Sequence, residues 1–392
     1  HEVGHTLGLR HNFKASSLYT LEEINSVDIR GKKPFTASVM DYNPVNFNME
    51  SGDVQGDFAM IGIGPYDYWA IEYGYTTGDT AEVLARAGEP ANAYLTDEDT
   101  NGPDPLAKRY DFSKDPLTYA ENQMRIVESL RADLLNHFVE DGDSWSKARR
   151  GYETTLRMQI SAASMMSDWI GGAHTNRNKK GDFGDEDIAP VQGVPVAQQR
   201  AALAFIVDNI FNEEAFSLSP HLITHFNVDK WYEGGGDSGE ATWPIHDRIL
   251  GTQASMITSI LAPSRLRMVA DNEFMVAADE DALTVAEVFQ TLMDAIYSDM
   301  DTNGSWTNRQ PMISSFDRNL QAEMANRLVG LSTGKVSQSR EVRSLALYHT
   351  RQLYNDIGEL LDDSNGLDTY SLAHLQDLHE RLGKALDAVY TM

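Results

Sequence analysis

The sequence has no cysteine among its 392 residues. Disulfide bonds and thiolate metal sites are therefore excluded, and a zinc ion would have to be held by histidine, aspartate or glutamate. Long apolar runs are missing as well, because no stretch approaches the ~20 residues that a membrane-spanning helix needs. We therefore predict no transmembrane segment in this chain.

Basic residues are scarce. The 32 lysines and arginines stand against 59 aspartates and glutamates, which gives a formal net charge of −27. Nucleic-acid binding depends on neutralising phosphates with basic side chains, so we predict no nucleic-acid partner. The acidic balance suits cationic substrates or bound divalent cations, and it is also typical of a solvated acidic surface. With 41% hydrophobic residues, the chain can bury a core and should be globular.

Alternation of polar and apolar residues with a period of two, which indicates half-buried strands, is also scarce. Helical periodicity is common instead. Apolar residues recur at helical spacing from Leu203 to Phe211, from Val342 to Leu360 and from Leu375 to Val389. Long helices are also expected over residues 117–138 and 144–170. These patterns predict a mainly α fold.

Two polar, glycine-rich stretches interrupt the helical pattern, at residues 171–190 and 233–240. Clusters of glycine and asparagine are typical of loops. We divide the chain into a mixed N-terminal part, residues 1–75, and a helical region, residues 76–392. The helical region is expected to form one bundle, or two subdomains with a break at one of the two loops.

The most specific pattern occupies the first eleven residues and reads His-Glu-x-x-His-x-x-Gly-x-x-His. Zinc hydrolysis needs three neutral protein ligands, an open fourth position and a base beside it. His1 and His5 are four residues apart, which places both imidazoles on one face of a helix. Gly8 tolerates a positive φ, so the chain can turn sharply and bring His11 round as the third ligand. Glu2 lies beside the first ligand, where its carboxylate can act as the general base.

This pattern resembles that of the metzincins, zinc endopeptidases in which the motif helix is followed by a Met-turn. The segment Ser38-Val39-Met40-Asp41-Tyr42 resembles such a turn. By this resemblance, Met40 forms an apolar floor beneath the histidines and does not bind the metal. Tyr42 stands at the offset where some metzincins place a tyrosine that supports the transition state, so its hydroxyl would stabilise the developing oxyanion. The alternative for Tyr42 is a packing residue that is hydrogen-bonded near the turn.

The resemblance narrows to the bacterial Met-zincins, which are large zinc-dependent proteases with a long helical region after the catalytic core. It is carried by residues 5–13, 38–42, 61–67 and 70–75. It implies a metzincin C-terminal catalytic subdomain, made of the Met-turn and a helix, followed by a large helical bundle. It also implies a protein or peptide substrate and a secreted, periplasmic or cell-surface location in a bacterium.

In metzincins the motif helix starts about three turns before the first zinc ligand, and a twisted sheet before that helix binds the substrate by strand addition. This sequence begins on His1. We therefore expect the chain to be the C-terminal part of a longer protein, with the missing N-terminal part as its partner. Because short helices are marginal in water, we expect the isolated 392 residues to bind zinc poorly and to be inactive.

Two stretches read Asp-x-Asp-x-Asn-Gly, one at residues 97–102 and one that begins with Asp299, Asp301 and Asn303. Oxygen ligands at alternate positions before a glycine form the first half of a calcium-binding loop, but the twelfth position is not acidic in either stretch. Calcium at the second stretch is one interpretation, and an acidic turn is the other.

Three functions stay open. In the leading hypothesis the protein is a zinc-dependent metalloendopeptidase, whose zinc is held by His1, His5 and His11 and whose protons are moved by Glu2. In the second, residues 76–392 are a binding or scaffolding module attached to a protease. In the third, the protein is a degenerate homologue that keeps the motif without the activity.

Overall fold

The computed structural model describes residues 1–49, 51–181, 188–230, 240–300, 304–362 and 366–390. Helices of all types account for 56% of the described residues. Within the described residues, the sheet is one antiparallel pair of three-residue strands, β1 (Ala173–Thr175) and β2 (Val191–Gly193). The prediction of a mainly α fold is confirmed.

The α-helices differ widely in length, from four to 23 residues, and short 3₁₀ helices connect some of them. In chain order they are α1 (Glu2–Thr6), α2 (Leu21–Ile24), α3 (Pro65–Tyr75), α4 (Ala81–Ala85), α5 (Pro116–Ala132), α6 (Leu134–Phe138), α7 (Ser146–Ser167), α8 (Val196–Ile206), α9 (Pro220–Ile223), α10 (Ile245–Ile260), α11 (Pro263–Glu273), α12 (Val285–Ile296), α13 (Ser315–Ser332), α14 (Arg340–Asp362) and α15 (Thr369–Tyr390). None of those in the described part of the chain is both long and apolar enough to cross a membrane.

The chain forms two compact units. The first comprises residues 1–130 and 161–202, and the second comprises residues 131–160 and 203–392. Residues 76–130 therefore pack in the same unit as the motif. The predicted division at residue 75 stays a prediction, because compactness alone does not show where a catalytic domain ends.

Two of the predicted helices can be compared directly with the structure. The helix expected over residues 144–170 is α7. The helix expected over residues 117–138 is interrupted at Asp133, whose φ of −137° and ψ of 45° are not helical, so that α5 and α6 are separate. The break could not be predicted from the residue type, because aspartate is tolerated inside helices.

The second unit has a helical core in which α14 packs against α13 and α15. The predicted apolar stripes face this core. Val342 and Leu353 are buried on α14, and Leu375, Leu378 and Leu382 are buried on α15. The side chain of Val389, the last member of the predicted stripe, lies outside the described residues.

The first unit is built around the segment that leads into the Met-turn. Ala15 and Ala37 are buried and pack against Tyr66 at the start of α3. The backbone N–H of Tyr66 also donates to the carbonyl of Ala37 over 3.0 Å. Burial and this hydrogen bond together fix α3 beside the chain that precedes Met40.

Candidate metal centre

The motif forms one short helix and a sharp turn. In α1 the backbone N–H of His5 donates to the carbonyl of His1 over 3.2 Å, and the ring centroids of these histidines are 4.9 Å apart. Gly8 then adopts a φ of +86°, as predicted from its conformational freedom. The turn brings the His11 ring within 4.8 Å of the His5 ring and 5.3 Å of the His1 ring.

Each of the three imidazoles directs its Nδ1 at an oxygen acceptor. The acceptors are the Val39 carbonyl for His1 at 2.7 Å, the Leu9 carbonyl for His5 at 3.0 Å and an Asp97 carboxylate oxygen for His11 at 2.9 Å. An Nδ1 that faces an acceptor carries the hydrogen, so Nε2 keeps its lone pair.

The three histidines present one ligand atom each, and these atoms all lie within 4.8 Å of one another. Three neutral imidazoles whose other nitrogens are hydrogen-bonded form a donor set that fits zinc. In the described residues, no other group of three histidine, aspartate or glutamate side chains is so closely set. The residues present can therefore hold a zinc ion.

Glu2 and Tyr42 flank this group. Glu2 directly follows the first histidine on α1, and its side chain is exposed. The hydroxyl of Tyr42 donates a hydrogen bond over 2.8 Å to Nε2 of His11, the nitrogen that would bind a metal. Tyr110, to which no sequence pattern points, stacks on Tyr42 with 5.8 Å between ring centroids. Its backbone is left-handed, with a φ of 65°.

Met40 lies directly against α1. Its side chain is fully buried, and a Cβ added to Gly4 would stand 2.3 Å from its Sδ. The backbone carbonyl of Met40 also accepts a hydrogen bond from the N–H of Asn12 over 3.1 Å. The Met-turn therefore contacts the chain on both sides of the Gly8 turn, which is the place expected for a floor beneath the histidines.

The Met-turn is held in place by Asp67, a buried residue of α3. One of its carboxylate oxygens accepts from the hydroxyl of Ser38 over 2.5 Å. The other accepts from the backbone N–H of Val39 over 2.9 Å and from that of Gly64, at the start of α3, over 2.8 Å. One carboxylate thus caps α3 and fixes the turn that carries Met40.

Asp97 is a further site residue that the sequence did not identify as such. One of its oxygens accepts from Nδ1 of His11, and the other accepts from the guanidinium of Arg109 over 2.9 Å. Partial burial opposes ionisation of Asp97, but the hydrogen bonds from His11 and Arg109 outweigh it and lower the pKa of this carboxyl below its ordinary value. The carboxylate beside His11 is therefore ionised at neutral pH.

Two buried carboxyl groups, one of them in the Met-turn itself, lie close to Ser16. Asp41 accepts hydrogen bonds from the backbone N–H of Ser16 and of Tyr42, and Asp111 accepts one from the Ser16 hydroxyl. Burial raises the pKa of Asp41 to about 7 and that of Asp111 well above its ordinary value, and the charge of Asp41 raises the latter further. These groups shape the turn that places Tyr42.

An apolar cavity of about 860 Å³ shares a wall with the motif. Residues 7–10, which join the second and third histidines, form one side of it. The rings of Tyr66, Trp69, Tyr73 and Tyr94 line the cavity as well, and Trp69 and Tyr73 stack with 6.0 Å between centroids. A cavity of this size and lining is suited to an apolar group.

The calcium interpretation gains no support from the structure. Asp301 and Asn303 lie outside the described residues, and Asp299 belongs to the second compact unit. In the first stretch, Asp97 and Asp99 direct their oxygens at the guanidinium groups of Arg109 and Arg177. Calcium at Asp299 and its neighbours stays a prediction.

Comparison with known proteins supplies the remaining evidence on what kind of protein this is. No curated protein and no solved structure matches the chain. A family model described as Met-zincin matches residues 1–304, which include the motif, the Met-turn and α3. This match spans more than three quarters of the sequence, so the chain belongs to the Met-zincin family.

Proposed function

We propose that the protein is a zinc-dependent metalloendopeptidase that hydrolyses peptide bonds in proteins or peptides. The observation that carries this proposal is the close approach of three imidazoles, each of which directs its Nδ1 at an oxygen acceptor and so keeps a lone pair on Nε2. Membership of the Met-zincin family supports it, because that family implies dependence on zinc.

Within this proposal each side chain of the site has a separate role. His1, His5 and His11 would hold the zinc ion, which would supply Lewis acidity toward the scissile carbonyl and toward water. Glu2 accepts the proton of the attacking water and delivers it to the amine that leaves. Tyr42 donates a hydrogen bond from its hydroxyl to the oxyanion that develops on the carbonyl.

The test is a Glu2→Gln substitution in the full-length protein. Zinc content, measured by atomic absorption, should equal that of the wild type, because Glu2 is not one of the ligands. Hydrolysis of casein should fall by a factor on the order of 10²–10⁴, the usual contribution of a general base. Val3→Ala is the matched control, since Val3 is the next residue of α1 and is 70% exposed.

The outcomes separate the proposal from its main alternative. A wild-type protein that binds zinc without hydrolysing any protein would be a degenerate homologue. Equal activity in the Glu2→Gln variant and the wild type would remove Glu2 from the mechanism.

The apolar cavity supports a preference for substrates with a large apolar side chain. It shares residues 7–10 with the motif, so a side chain seated there would lie beside the Gly8 turn. Tyr73→Ala should lower kcat/KM for peptides with an aromatic residue near the cleavage site by about tenfold. Tyr68→Ala, a change on α3 outside the cavity lining, should leave it unchanged. Equal effects of both variants would exclude the cavity from substrate binding.

A further inference from the structure

We infer that Asp97 is a positioning residue, whose carboxylate fixes the tautomer and the orientation of the His11 imidazole and thereby strengthens metal binding. The expected effect on zinc affinity rests on the proposed function. The expected effect on the His11 tautomer does not, because the tautomer is measured in metal-free protein. Asp97 is 86 residues from His11 in the sequence.

His11 and three other side chains form a closed ring of contacts. The Asp97 carboxylate accepts from Nδ1 of His11 and from Arg109. The guanidinium of Arg109 stands over the ring of Phe13, 5.0 Å from its centroid, and the Phe13 ring is 5.0 Å from that of His11. Because Phe13 is fully buried, this ring of contacts is anchored in the core. Rotation of the imidazole would break at least one of these contacts.

His11 differs from the other two histidines in what orients it. The acceptors for His1 and His5 are backbone carbonyls, which belong to the Met-turn and to the residues that follow α1. His11 comes after the Gly8 turn, so no helix sets its direction. A carboxylate is also the stronger acceptor, and it raises the basicity of the distal nitrogen of an imidazole.

Asp97 is itself held rigidly against the motif. It begins a short 3₁₀ helix, residues 97–101, which is capped by a hydrogen bond from the Thr96 backbone N–H to the Asp99 carboxylate. Just before it, the carbonyl of Leu95 accepts from the backbone N–H of Phe13 over 2.8 Å. The carboxylate is therefore preorganised for His11.

The chain offers a matched control in Glu98, the next residue of the same 3₁₀ helix. Its carboxylate pairs with Arg10 over 2.6 Å, and both side chains are more than half exposed. Glu98→Gln removes an ion pair between the same two segments without touching His11. Exposed pairs of this kind contribute little to stability.

The experiment compares Asp97→Ala, Asp97→Asn and Glu98→Gln with the wild type in the full-length protein. Zinc affinity is measured by competition with a chelator, and the His11 tautomer is read in metal-free protein from ¹⁵N chemical shifts of labelled histidine. Asp97→Ala should weaken zinc binding by about 10–100-fold and should shift part of the His11 population to the Nε2–H tautomer. Asp97→Asn, which keeps a neutral acceptor, should lie between that variant and the wild type. Glu98→Gln should stay within about threefold of the wild type.

Two results would overturn the inference: a zinc affinity of Asp97→Ala equal to that of Glu98→Gln, or a His11 tautomer unaltered by the substitution. Should Asp97→Ala fail to fold by circular dichroism, Asp97→Asn carries the comparison. A wild-type protein that takes up no zinc would contradict the proposed function. In that case the tautomer measurement by itself would decide whether Asp97 orients His11.

Discussion

Substitution of Gly4 by alanine tests the contact between α1 and the Met-turn. In the structure a Cβ on Gly4 would lie 2.3 Å from Sδ of Met40, far closer than two such atoms can approach. The Met40 side chain is fully buried, so it has little room to move aside. The new methyl group must therefore displace either α1 or the floor beneath it.

The expected magnitude follows from two opposing effects. Alanine is favoured over glycine inside a helix by about 0.5–1 kcal/mol, whereas overpacking a filled core costs about 1–3 kcal/mol. Gly4→Ala should therefore destabilise the protein by about 1–2 kcal/mol. Met40→Ala alone should cost about 2–5 kcal/mol, because it leaves a cavity. In the double variant the methyl group introduced on α1 no longer clashes and fills part of that cavity, so the two changes should be coupled by about 1–3 kcal/mol.

Urea unfolding of the four proteins of this double-mutant cycle measures the coupling. Gly74→Ala is the control, because Gly74 also lies in a helix, and a Cβ placed there meets no atom within 4 Å. That variant should be more stable than the wild type by about 0.5–1 kcal/mol. Additive effects of Gly4→Ala and Met40→Ala, within about 0.5 kcal/mol, would refute the argument that Met40 supports the helix.

Further substitutions probe other parts of the molecule. Asp67→Asn should lower the free energy of unfolding by about 2–4 kcal/mol, because the amide NH₂ that replaces one oxygen would face hydrogen-bond donors. A loss below about 1 kcal/mol in urea unfolding would argue against the view that Asp67 holds the Met-turn in place. Tyr42→Phe should lower kcat by a factor on the order of 10²–10³ at unchanged zinc content, and an unchanged kcat would leave Tyr42 a packing role. Burial, with a smaller contribution from the charge of Arg318, lowers the pKa of His374 to about 4. Since the unfolded pKa is about 6.5, the stability contributed by neutral His374 is present above pH 6.5 and is lost as the pH falls toward 4. His374→Gln should flatten this part of the pH profile of thermal unfolding, and a profile that coincides with the wild type would contradict the assignment.

The motif could be predicted because its geometry is local. The spacing of His1 and His5 on a helix, and the freedom of Gly8 to turn, depend on residues a few positions apart. Met40 and Tyr42 required the resemblance to metzincins, because their distance in sequence gives no geometric hint. The structure brings Tyr42 to His11 across 31 positions.

The residues that support the site could not be predicted, because their partners are far away in the sequence. Asp67 meets the Met-turn across 28 positions, and Asp97 meets His11 across 86. Periodicity reports which face of a segment is buried, but it does not report which other segment covers that face. The alternating acids that begin with Asp97 match the first half of a calcium-binding loop in sequence, although in the structure they face guanidinium groups and His11.

Periodicity also predicted some elements of the fold and missed others. The apolar stripes of α14 and α15 span several turns, so their pattern was unambiguous. The strands β1 and β2 have three residues each, which is too short for alternation to show. The register, in which Ala173 pairs with Gly193, depends on contacts between two segments that are not adjacent in the sequence.

The contacts of the site indicate that the orientation of the three motif histidines is set by three separate parts of the first unit. His5 is oriented by the chain just after its own helix, His1 by the carbonyl of Val39 in the Met-turn, and His11 by Asp97. The Val39 backbone is in turn fixed by Asp67 of α3. A change in α3 should therefore alter the orientation of His1, and a change in the 3₁₀ helix that of His11, although neither segment contains a motif histidine.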